Sequence, residues 1–539
     1  MATEILRQSK LPDPFRTGLA SGWKVVDASK LTQDRTIEAD VAIVGTGAGG
    51  GTAAEILADA GLSVVMIEEG PLATSSDFQM REAEAYPQLY QESAARKSKD
   101  KSINILQGRC VGGSTTVNWT SSFRTPLSTL DYWAREYGLV GFSAADLAPW
   151  FERAERRVNV ISWPVVPNEN NDALRRGAQA LGINVGAIRR NVKGCWNIGY
   201  CGMGCPTNAK QSMLVTTIPA ALARGATLLT RTRGWQLEHG SGRVTALTCI
   251  ALDERGTDPT PRRIRVQAKT FVSAGGAIGT PALLLRSKLP DPNAVIGKRT
   301  FLHPTVVSAA LMPERVDGFS GAPQTIYSDH FLESAAPDGP IAYKLEAPPI
   351  HPILAATTLP GYGRTHAGWM HELPYMQVVI ALMRDGFHRE SPGGSVELRD
   401  DGTPVLDYPL SGYLWDGARR ALATMAEIQF AAGAKTVMPV RPGARSYASW
   451  TEARDAIASF APGPEAATFV SAHVMGGSPL GPDPRRAAVD TNGRYHQLEN
   501  LYVFDGSIFP TSIGANPQLS IYAITAKLAT GLAQALDRR

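Results

Sequence analysis

The segment at residues 41–70 has the pattern of a dinucleotide-binding unit, and it constrains the fold more than any other feature of the chain. Apolar residues at 41–44 predict a buried strand, residues 53–57 continue as a helix, and residues 63–67 predict a second strand. Glycines at this kind of turn let the backbone approach a pyrophosphate at the positive end of the helix. The motif G-x-G-x-x-G between strand and helix is formed by Gly45, Gly47 and Gly50.

The second strand of this unit ends at Glu68, 18 residues after Gly50. A carboxylate at this position can accept hydrogen bonds from both hydroxyls of an adenosine ribose, and it disfavours the 2'-phosphate of NADP. The alternative is an ordinary solvated carboxylate at a strand end. The unit alone does not separate FAD from NAD, so an NAD-dependent dehydrogenase stays an alternative at this point.

The composition is that of a large globular enzyme. Hydrophobic residues make up 43% of the 539 residues, and charged residues make up 19%, below the usual value of about 25%. Lys plus Arg (54) exceeds Asp plus Glu (50) by only 4, and the basic groups are scattered, so we predict no nucleic-acid partner. We find no signal peptide and no apolar run of the roughly 18 residues that span a bilayer. We therefore expect a cytoplasmic protein, and peripheral association with a membrane surface stays open.

The rest of the chain alternates glycine-rich turns with helices and strands. Residues 300–465 are richer in Pro, His, Met and aromatic residues. In this stretch, residues 376–383, 395–398 and 404–408 predict strands, and residues 414–432 predict a long helix. The glycine-rich segments outside it are GRCVGGSTTVNW from residue 108, GGAIGTPALLLRS from residue 275, SAHVMGG from residue 471 and FDGSIFPTSIGANPQLS from residue 504. In the second of these, Thr280 and Pro281 predict the start of a helix.

Read in this order with the dinucleotide unit, these segments resemble the glucose-methanol-choline (GMC) oxidoreductases, which are FAD-dependent enzymes that oxidise alcohols. The resemblance covers nearly the whole chain from about residue 38 and is weakest over residues 300–465. It implies an α/β protein in which an FAD-binding Rossmann-like domain is interleaved with an α+β substrate-binding domain that carries an antiparallel sheet. The implied boundaries are 38–300 for the FAD-binding domain, with an inserted segment at 129–212, then 301–465 for the substrate-binding domain and 466–539 for the return to the first domain.

The resemblance also implies roles for particular residues. His473 matches the active-site histidine of the family, and Asn516 matches its partner, a position that holds His or Asn in different members. Val117 replaces the histidine that carries FAD covalently in some members, so we expect noncovalent FAD. The residues implied to bind the ADP half of FAD are Gly45, Gly47, Gly50 and Glu68; those implied to contact the pyrophosphate, ribityl chain and flavin are Gly108, Arg109, Gly112, Gly113, Ser114, Asn118, Asp505, Gly506, Asn516 and Pro517.

Alcohol oxidation by hydride transfer requires such a pair of residues. The hydroxyl proton must leave as hydride moves to flavin N5, so a base is needed within hydrogen-bond distance of the hydroxyl oxygen. A neutral histidine can supply that base, which we assign to His473. Asn516 would orient the hydroxyl without changing its charge.

The cysteine-rich loop leaves alternatives open. Three of the five cysteines cluster as Cys195, Cys201 and Cys205, a spacing that suits an iron-sulfur cluster and is similar to a loop in the cluster-bearing sugar dehydrogenases of the family. The continuation at residues 208–210, Asn-Ala-Lys, is closer to long-chain alcohol oxidases and related bacterial proteins, which imply no cluster. Structural thiols or a local disulfide, an iron-sulfur cluster, and zinc with a fourth ligand are the three alternatives. We predict no metal site and keep these cysteines as iron-sulfur candidates.

We therefore expect an FAD-dependent alcohol dehydrogenase or oxidase. The low charge and the Met and aromatic content of residues 300–465 favour an apolar alcohol, and the electron acceptor is either oxygen or a redox protein or quinone. One alternative is an iron-sulfur-containing FAD dehydrogenase that passes electrons to a redox partner. Another, from a different class, is a noncatalytic flavin-binding or sensor protein.

Overall fold

A computed structural model describes residues 11–336 and 338–537 of the chain, and its elements form an α/β fold around two large sheets. The strands are β1 (Lys24–Asp27), β2 (Arg35–Val44), β3 (Val64–Ile67), β4 (Ile103–Ile105), β5 (Val160–Ser162), β6 (Gly186–Ala187), β7 (Arg189–Asn191), β8 (Thr227–Thr230), β9 (Thr232–Gly240), β10 (Arg243–Leu252), β11 (Pro259–Ser273), β12 (Lys298–Phe301), β13 (Thr305–Leu311), β14 (Ile326–Ser328), β15 (Tyr343–Glu346), β16 (Met376–Met383), β17 (Gly394–Leu398), β18 (Pro404–Asp407), β19 (Thr436–Pro439), β20 (Phe469–Ser471), β21 (Met475–Gly476) and β22 (Leu501–Val503). The α-helices are α1 (Pro14–Ala20), α2 (Ala48–Asp59), α3 (Glu82–Leu89), α4 (Ser114–Val117), α5 (Leu127–Tyr137), α6 (Ala144–Arg157), α7 (Glu169–Ala180), α8 (Thr217–Ala223), α9 (Gly276–Arg286), α10 (His330–Glu333), α11 (Pro352–Thr358), α12 (Gly363–His371), α13 (Gly412–Ala431), α14 (Trp450–Ala458) and α15 (Gln518–Asp537).

The first sheet carries the dinucleotide unit. Its strand order is β1-β8-β3-β2-β11-β10-β9, and β22 also pairs with β11. Pairing is parallel from β1 to β11 and with β22, whereas β10 runs antiparallel to both β11 and β9. Parallel strands are buried on both faces, which explains why β3 is a continuous apolar run without alternation.

The long strand β11 brings the C-terminal part of the chain into this sheet. It spans 15 residues and pairs with β10 up to Val266, then with β22 from Phe271 onward. Because β22 is parallel to β11, the segment that follows each strand emerges at the same edge of the sheet. The glycine-rich segments after β2, β11 and β22 therefore lie close together.

The second sheet is mostly antiparallel, with the order β4-β20-β13-β16-β15-β14-β6 and with β19 also on β13. Helix α13 packs its buried face on β13, β16 and β19 and on helix α7. A smaller antiparallel sheet has the order β18-β17-β12-β21. This arrangement confirms the predicted fold class and the predicted strands β16, β17 and β18. The second sheet also contains β4, β6 and β20, which lie outside the predicted substrate-binding segment 301–465.

Two helices differ from the sequence expectation. Helix α9 begins at Gly276 rather than at Thr280, because the buried carboxylate of Asp505 accepts hydrogen bonds from the Gly276 N–H (2.8 Å) and the Thr280 hydroxyl (2.6 Å) and so anchors an earlier first turn. Helix α15 is long and apolar enough to cross a membrane by length and composition, although no such run was expected. More than half of that window (56%) is buried, and the helix packs against α2 and α6, as the core helix of a globular protein does.

Candidate active site

A cavity of about 490 Å³ lies between the glycine-rich segments of the first sheet and the C-terminal segment. Its wall also includes residues 472–474, which follow strand β20 of the second sheet. Gly50, Arg109 and Gly112, which were predicted to contact the cofactor, are not on this wall. The predicted residues that do line it are Gly45, Gly47, Glu68, Gly108, Gly113, Ser114, Asn118, Asp505, Gly506, Asn516 and Pro517.

The glycines of the dinucleotide motif have distinct structural tasks. Gly45 has a φ of +99°, which disfavours any other residue there. A Cβ atom on Gly50 would lie 1.9 Å from the carbonyl oxygen of Gly45, so Gly50 allows close packing of α2 against the turn. A Cβ atom on Gly113 would lie 2.8 Å from the Cα of Gly47, which shows how closely the two glycine-rich loops approach.

The first turn of α2 faces the cavity without a side-chain cap. Its N-cap residue is Gly47, and no side chain accepts from the N–H groups that follow. Gly47, Ala48 and Gly49 line the cavity. Uncapped N–H groups at the positive end of a 12-residue helix favour an anionic group such as a pyrophosphate.

Glu68 lies at the cavity wall at the end of β3. Its Oε2 accepts hydrogen bonds from the N–H (3.1 Å) and the hydroxyl (2.6 Å) of Thr46, and its Oε1 accepts from the N–H of Gly70 (2.9 Å). Burial raises the pKa of Glu68, and these hydrogen bonds oppose the rise. The Thr46 contact fixes the carboxylate beside the glycine motif.

Arg109 is held by an ion pair with Glu69 instead of lining the cavity. Its Nε lies 3.0 Å from an oxygen of Glu69, which is also 3.0 Å from Nη2 of Arg233. Burial raises the pKa of Glu69, but the charges and hydrogen bonds of Arg233 and Arg109 outweigh it and lower that pKa to about 2. Arg109 therefore connects the loop at residue 108 to the end of β3.

The structure brings His473 and Asn516 together, although 43 residues separate them in sequence. His473 lies in the short segment between β20 and β21, and Asn516 lies just before α15. Nδ2 of Asn516 is 3.4 Å from Nε2 of His473, and both residues line the cavity. Burial, followed by the charge of Lys344, lowers the pKa of His473 to about 4, so its imidazole is neutral at physiological pH.

A second histidine, His303, contacts His473 and was missed in the sequence. The Nδ1 atoms of the two rings are 3.3 Å apart, and Nε2 of His303 accepts a hydrogen bond from the Gly514 N–H (3.0 Å). His303 has a φ of +45°, and the buried carboxylate of Asp385 holds this strained backbone by accepting from the N–H groups of Leu302 (3.0 Å) and His303 (3.2 Å). The only local signal was the histidine-proline pair just after β12.

A buried charged pair on β15 completes the surroundings of Asn516. Oε2 of Glu346 accepts a hydrogen bond from Nδ2 of Asn516 (3.3 Å). Nζ of Lys344 lies 3.6 Å from the ring centroid of Phe123 and 3.8 Å from that of Tyr327. Burial raises the pKa of Glu346 to about 7, against the effect of Lys344, and burial lowers the pKa of Lys344 to about 8. The sequence Tyr-Lys-Leu-Glu alternates as a half-exposed strand would, yet all four residues are buried, so pattern alone missed them.

An apolar chamber of about 120 Å³ opens beside His473. It lies on one face of the second sheet and is covered by helix α11. Five residues line both this chamber and the larger cavity, namely Leu106, Trp119, Gln324, Ala472 and His473. Apolar side chains make up most of the remaining wall: Val307, Ala309, Ile350, Leu354, Ala355, Leu359, Met376, Val378, Ile380, Leu382, Val440 and Val470.

The cysteine-rich loop holds free thiols, of which Cys201 contacts the buried guanidinium of Arg190 and Cys205 contacts the backbone amide of Lys210. Nη2 of Arg190 is 3.7 Å from Sγ of Cys201, and Sγ of Cys205 accepts from the Lys210 N–H (3.4 Å). Within the described residues, no three His, Cys, Asp or Glu side chains form a group that could hold a metal ion, so the iron-sulfur and zinc alternatives gain no support from Cys195 and its neighbours.

Lys210, which follows this loop, was not expected to have a structural role. Its Nζ donates to the carbonyl oxygens of Thr116 (2.8 Å), Asn118 (2.6 Å) and Cys201 (2.6 Å). Burial lowers the pKa of Lys210 to about 8. The ammonium group thereby ties the cysteine-rich loop to the segment at 108–119 that lines the cavity.

Comparison with known proteins defines the class of this protein. The two sequence profiles described as GMC oxidoreductase match residues 86–305 and 390–525. An uncharacterized GMC-type oxidoreductase of Sinorhizobium fredii is 32% identical over 505 residues, which cover 93% of this chain and 95% of that protein. The chain therefore belongs to the GMC oxidoreductase family and is a flavin oxidoreductase.

More distant relatives include a long-chain-alcohol oxidase of Arabidopsis thaliana, which is 27% identical over 521 residues covering 93% of this chain and 68% of that protein. Among solved structures, pyridoxine 4-oxidase from Mesorbium loti has a TM-score of 0.67 at 19% identity, covering 91% of this chain and 98% of that one. A formate oxidase of Aspergillus oryzae has a TM-score of 0.66 at 14% identity, covering 94% of this chain and 100% of that one. These structures support the shared fold.

The cavity fits the FAD that the family implies. Glycines bring its loops into close contact, α2 presents uncapped N–H groups, and Glu68 lines the wall beside the glycine motif, where it would accept from the ribose. The wall then continues past Asn118 to Asn516, where the imidazole of His473 lies. The residues that would hold the cofactor thus lead from an anion-binding helix to a histidine, as a flavin dinucleotide beside a catalytic base requires.

Proposed function

We propose that this protein is an FAD-dependent oxidoreductase that converts the CH–OH group of an apolar alcohol into an aldehyde or ketone, with His473 as general base. The observation that carries the proposal is the position of His473, which lines both the cofactor cavity and the apolar chamber. A substrate in the chamber with its hydroxyl at His473 would present its carbinol carbon to the cavity. Bound FAD supplies the hydride acceptor.

The protein residues then perform two tasks at the hydroxyl group. A neutral His473 takes the hydroxyl proton as the C–H bond breaks, and its lowered pKa keeps the ring unprotonated at physiological pH. Asn516 fixes the hydroxyl by hydrogen bonding, which holds the reacting carbon in one orientation.

The apolar chamber favours an alcohol with an aliphatic or ring-like hydrocarbon part. Its walls offer few polar groups except where it meets the cavity, at Gln324 and His473. Burial of hydrocarbon there would stabilise binding by about 0.8 kcal/mol for each CH₂ group. The relatives named long-chain-alcohol oxidases agree with this substrate class and support oxygen as the electron acceptor.

The test is anaerobic mixing of the yellow purified protein with alcohols of increasing chain length. We expect bleaching of the flavin bands by an apolar alcohol, and we expect His473→Ala to slow it by about 10²–10⁴-fold, the usual contribution of a general base. His239→Ala is the matched control, because His239 is exposed on β9 of the first sheet. If no alcohol bleaches the flavin, a noncatalytic flavin protein is favoured. A colourless protein that reduces NAD would favour the dehydrogenase alternative. Hydrogen peroxide formed on readmission of air would support oxygen as acceptor.

A further inference from the structure

A continuous chain of hydrogen-bonding groups runs through the active site, from a backbone amide to a buried carboxyl group. The Gly514 N–H donates to Nε2 of His303 (3.0 Å), and Nδ1 of His303 is 3.3 Å from Nδ1 of His473. Nε2 of His473 is 3.4 Å from Nδ2 of Asn516, which is 3.3 Å from Oε2 of Glu346. Each contact needs one donor and one acceptor, so the two ends of the chain constrain the protons between them.

The Gly514 end favours a proton on Nε2 of His473. A backbone N–H can only donate, so Nε2 of His303 must accept and carries no proton. Burial keeps His303 neutral by holding its pKa well below the ordinary value, so its single proton lies on Nδ1. That N–H points to Nδ1 of His473, which must then accept, and the proton of a neutral His473 is left on Nε2.

The Glu346 end favours the opposite tautomer when its carboxyl group is ionised. A carboxylate can only accept hydrogen bonds, so it accepts one from the NH₂ group of the Asn516 carboxamide. The same NH₂ group faces Nε2 of His473, and it requires a lone pair there instead of a proton. A protonated Glu346 can donate instead, which lets the carboxamide present its oxygen and accept from an Nε2–H.

We propose that Glu346 is a positioning residue whose proton decides, through the orientation of the Asn516 carboxamide, which ring nitrogen of His473 carries the proton. The inference rests on the proposed function with His473 as base. Because Nδ1 of His473 faces His303, Nε2 is the nitrogen that would take the hydroxyl proton, and it must therefore carry no proton of its own. When Glu346 is ionised, Nε2 of His473 carries no proton, and the hydrogen bond between the Gly514 N–H and His303 is lost. Protonated Glu346 leaves the site in its inactive tautomer.

The atoms that would exchange partners are available for this reorientation. Oε1 of Glu346 and Oδ1 of Asn516 are both buried and have no hydrogen-bond partner among the described residues. The carboxamide thus has one fully engaged end and one unengaged end, so a half-turn about its terminal bond exchanges the two. In amide groups this orientation is set by the surrounding hydrogen bonds.

The charged and titratable neighbours set the pH at which Glu346 ionises. Lys344 on the same strand favours the carboxylate, whereas burial favours the acid. Tyr327 pairs with Glu346 across from β14, His473 and His303 complete the chain of contacts, and Asp329 and Glu333 act on Lys344. Since the resulting pKa of Glu346 is about 7, rising pH is expected to convert His473 to its base-competent tautomer across the neutral range.

The direct test is ¹⁵N NMR of the holoenzyme labelled on histidine, without any alcohol, with His473 assigned from the spectrum of His473→Gln. In the wild type we expect protonation to move from Nε2 to Nδ1 as pH rises through neutrality. In Glu346→Gln, which has a similar shape and no charge, we expect the Nε2–H form at every pH. Its kcat/KM should fall roughly tenfold or more above neutral pH while FAD stays bound.

Two further variants keep the inference falsifiable if Glu346→Gln does not fold. Lys344→Met removes the neighbouring cation and should move the tautomer transition to higher pH. Glu238→Gln, a carboxyl change on β9 of the first sheet, is the matched control and should leave the transition where it is. A His473 tautomer that is the same at all pH values in the wild type, or unchanged by Glu346→Gln, would overturn the inference. The NMR result is independent of turnover, so failure of the proposed function, seen as fast flavin reduction by His473→Ala, is a separate outcome.

Discussion

The two walls of the active site are built in different ways. The cofactor wall is made largely of backbone, with glycines and the first turn of α2 placed by short loops after parallel strands. The catalytic wall is made of side chains from an antiparallel sheet and from distant loops, including the buried charges of Lys344 and Glu346. A backbone site depends on local conformation, and a side-chain site depends on long-range packing.

The two walls are therefore expected to respond differently to amino-acid substitution. A Cβ atom on Gly45, Gly49 or Gly113 of the cofactor wall would lie within 3 Å of neighbouring backbone atoms, which cannot move away. Substituting a side chain of the catalytic wall leaves the backbone in place and changes chemistry or shape. We therefore expect cofactor loss from the first class of variant and altered rate or selectivity from the second.

The largest effect is expected for Gly50→Ala, which lies behind the cofactor wall and packs α2 against the glycine turn. Its Cβ would lie 1.9 Å from the carbonyl oxygen of Gly45, so α2 must shift away from the turn that approaches the pyrophosphate. We expect a colourless protein, destabilised by at least about 1–3 kcal/mol. Flavin absorbance measures the loss of FAD, and the urea unfolding midpoint measures the loss of stability.

The matched control is Gly531→Ala on α15, where an added Cβ meets no atom within 4 Å. This change should stabilise the helix by up to about 1 kcal/mol and leave the yellow colour. Stoichiometric FAD in Gly50→Ala would show that the turn tolerates the shift, and the contrast between the two walls would lose its basis.

The same distinction explains what the sequence predicts and what it does not. The glycine motif, Glu68 and strands such as β16 follow from spacing and periodicity within short segments, and the family resemblance added His473 and Asn516. Glu346 could not be found in this way, because its partner Asn516 is 170 residues away and its strand alternates as an exposed one would. His303 depends on a strained φ held by Asp385, which no local pattern specifies.

Arg109 shows the opposite limitation, in which a motif position is found but its contacts are not. The resemblance placed it along the cofactor, whereas the side chain forms an ion pair with Glu69. The backbone path of a glycine-rich segment is set locally, but the direction of a long side chain depends on which distant charges are nearest. Distant contacts also matter for the predicted domain boundaries, because β4 and β20 lie outside residues 301–465 and yet pair within the second sheet.

A smaller effect is expected for Ala355→Leu in the apolar chamber. Ala355 is buried on α11 and lines the chamber, so the larger side chain takes space that a hydrocarbon chain would fill. We expect kcat/KM for long alcohols to fall about 10- to 100-fold relative to short ones, with FAD content unchanged. Steady-state kinetics over a series of primary alcohols would show the change.

The control for that substitution is Thr357→Leu, on the exposed face of the same helix. It should leave the chain-length profile as it is. An identical profile in Ala355→Leu would mean that the hydrocarbon part lies elsewhere, and the catalytic wall would then not select the substrate by shape.

The smallest expected effect is on stability at acid pH, and its sign differs between the buried histidine and the buried carboxyl groups. The pKa of His473 is lowered from 6.5 to about 4 in the folded protein, so between these values the unfolded chain binds a proton that the folded chain does not. Stability must therefore fall as pH falls from 6.5 toward 4. Burial raises the pKa of Glu68 on the cofactor wall, as it does for Glu346, so these carboxyl groups have the opposite effect and lose stability as pH rises above their unfolded value of 4.5.

The free energy of unfolding in urea, measured at pH 5 and pH 7, distinguishes these contributions. In His473→Gln the loss of stability on going to pH 5 should shrink by about 2 kcal/mol, since one unit of pKa shift corresponds to about 1.4 kcal/mol. In Glu346→Gln the same loss should grow, because a group that gains stability at pH 5 has been removed. If both variants shift the pH dependence in the same direction, burial is not what keeps His473 and Glu346 neutral. The contrast between the catalytic wall and the backbone-built cofactor wall would then rest on geometry alone.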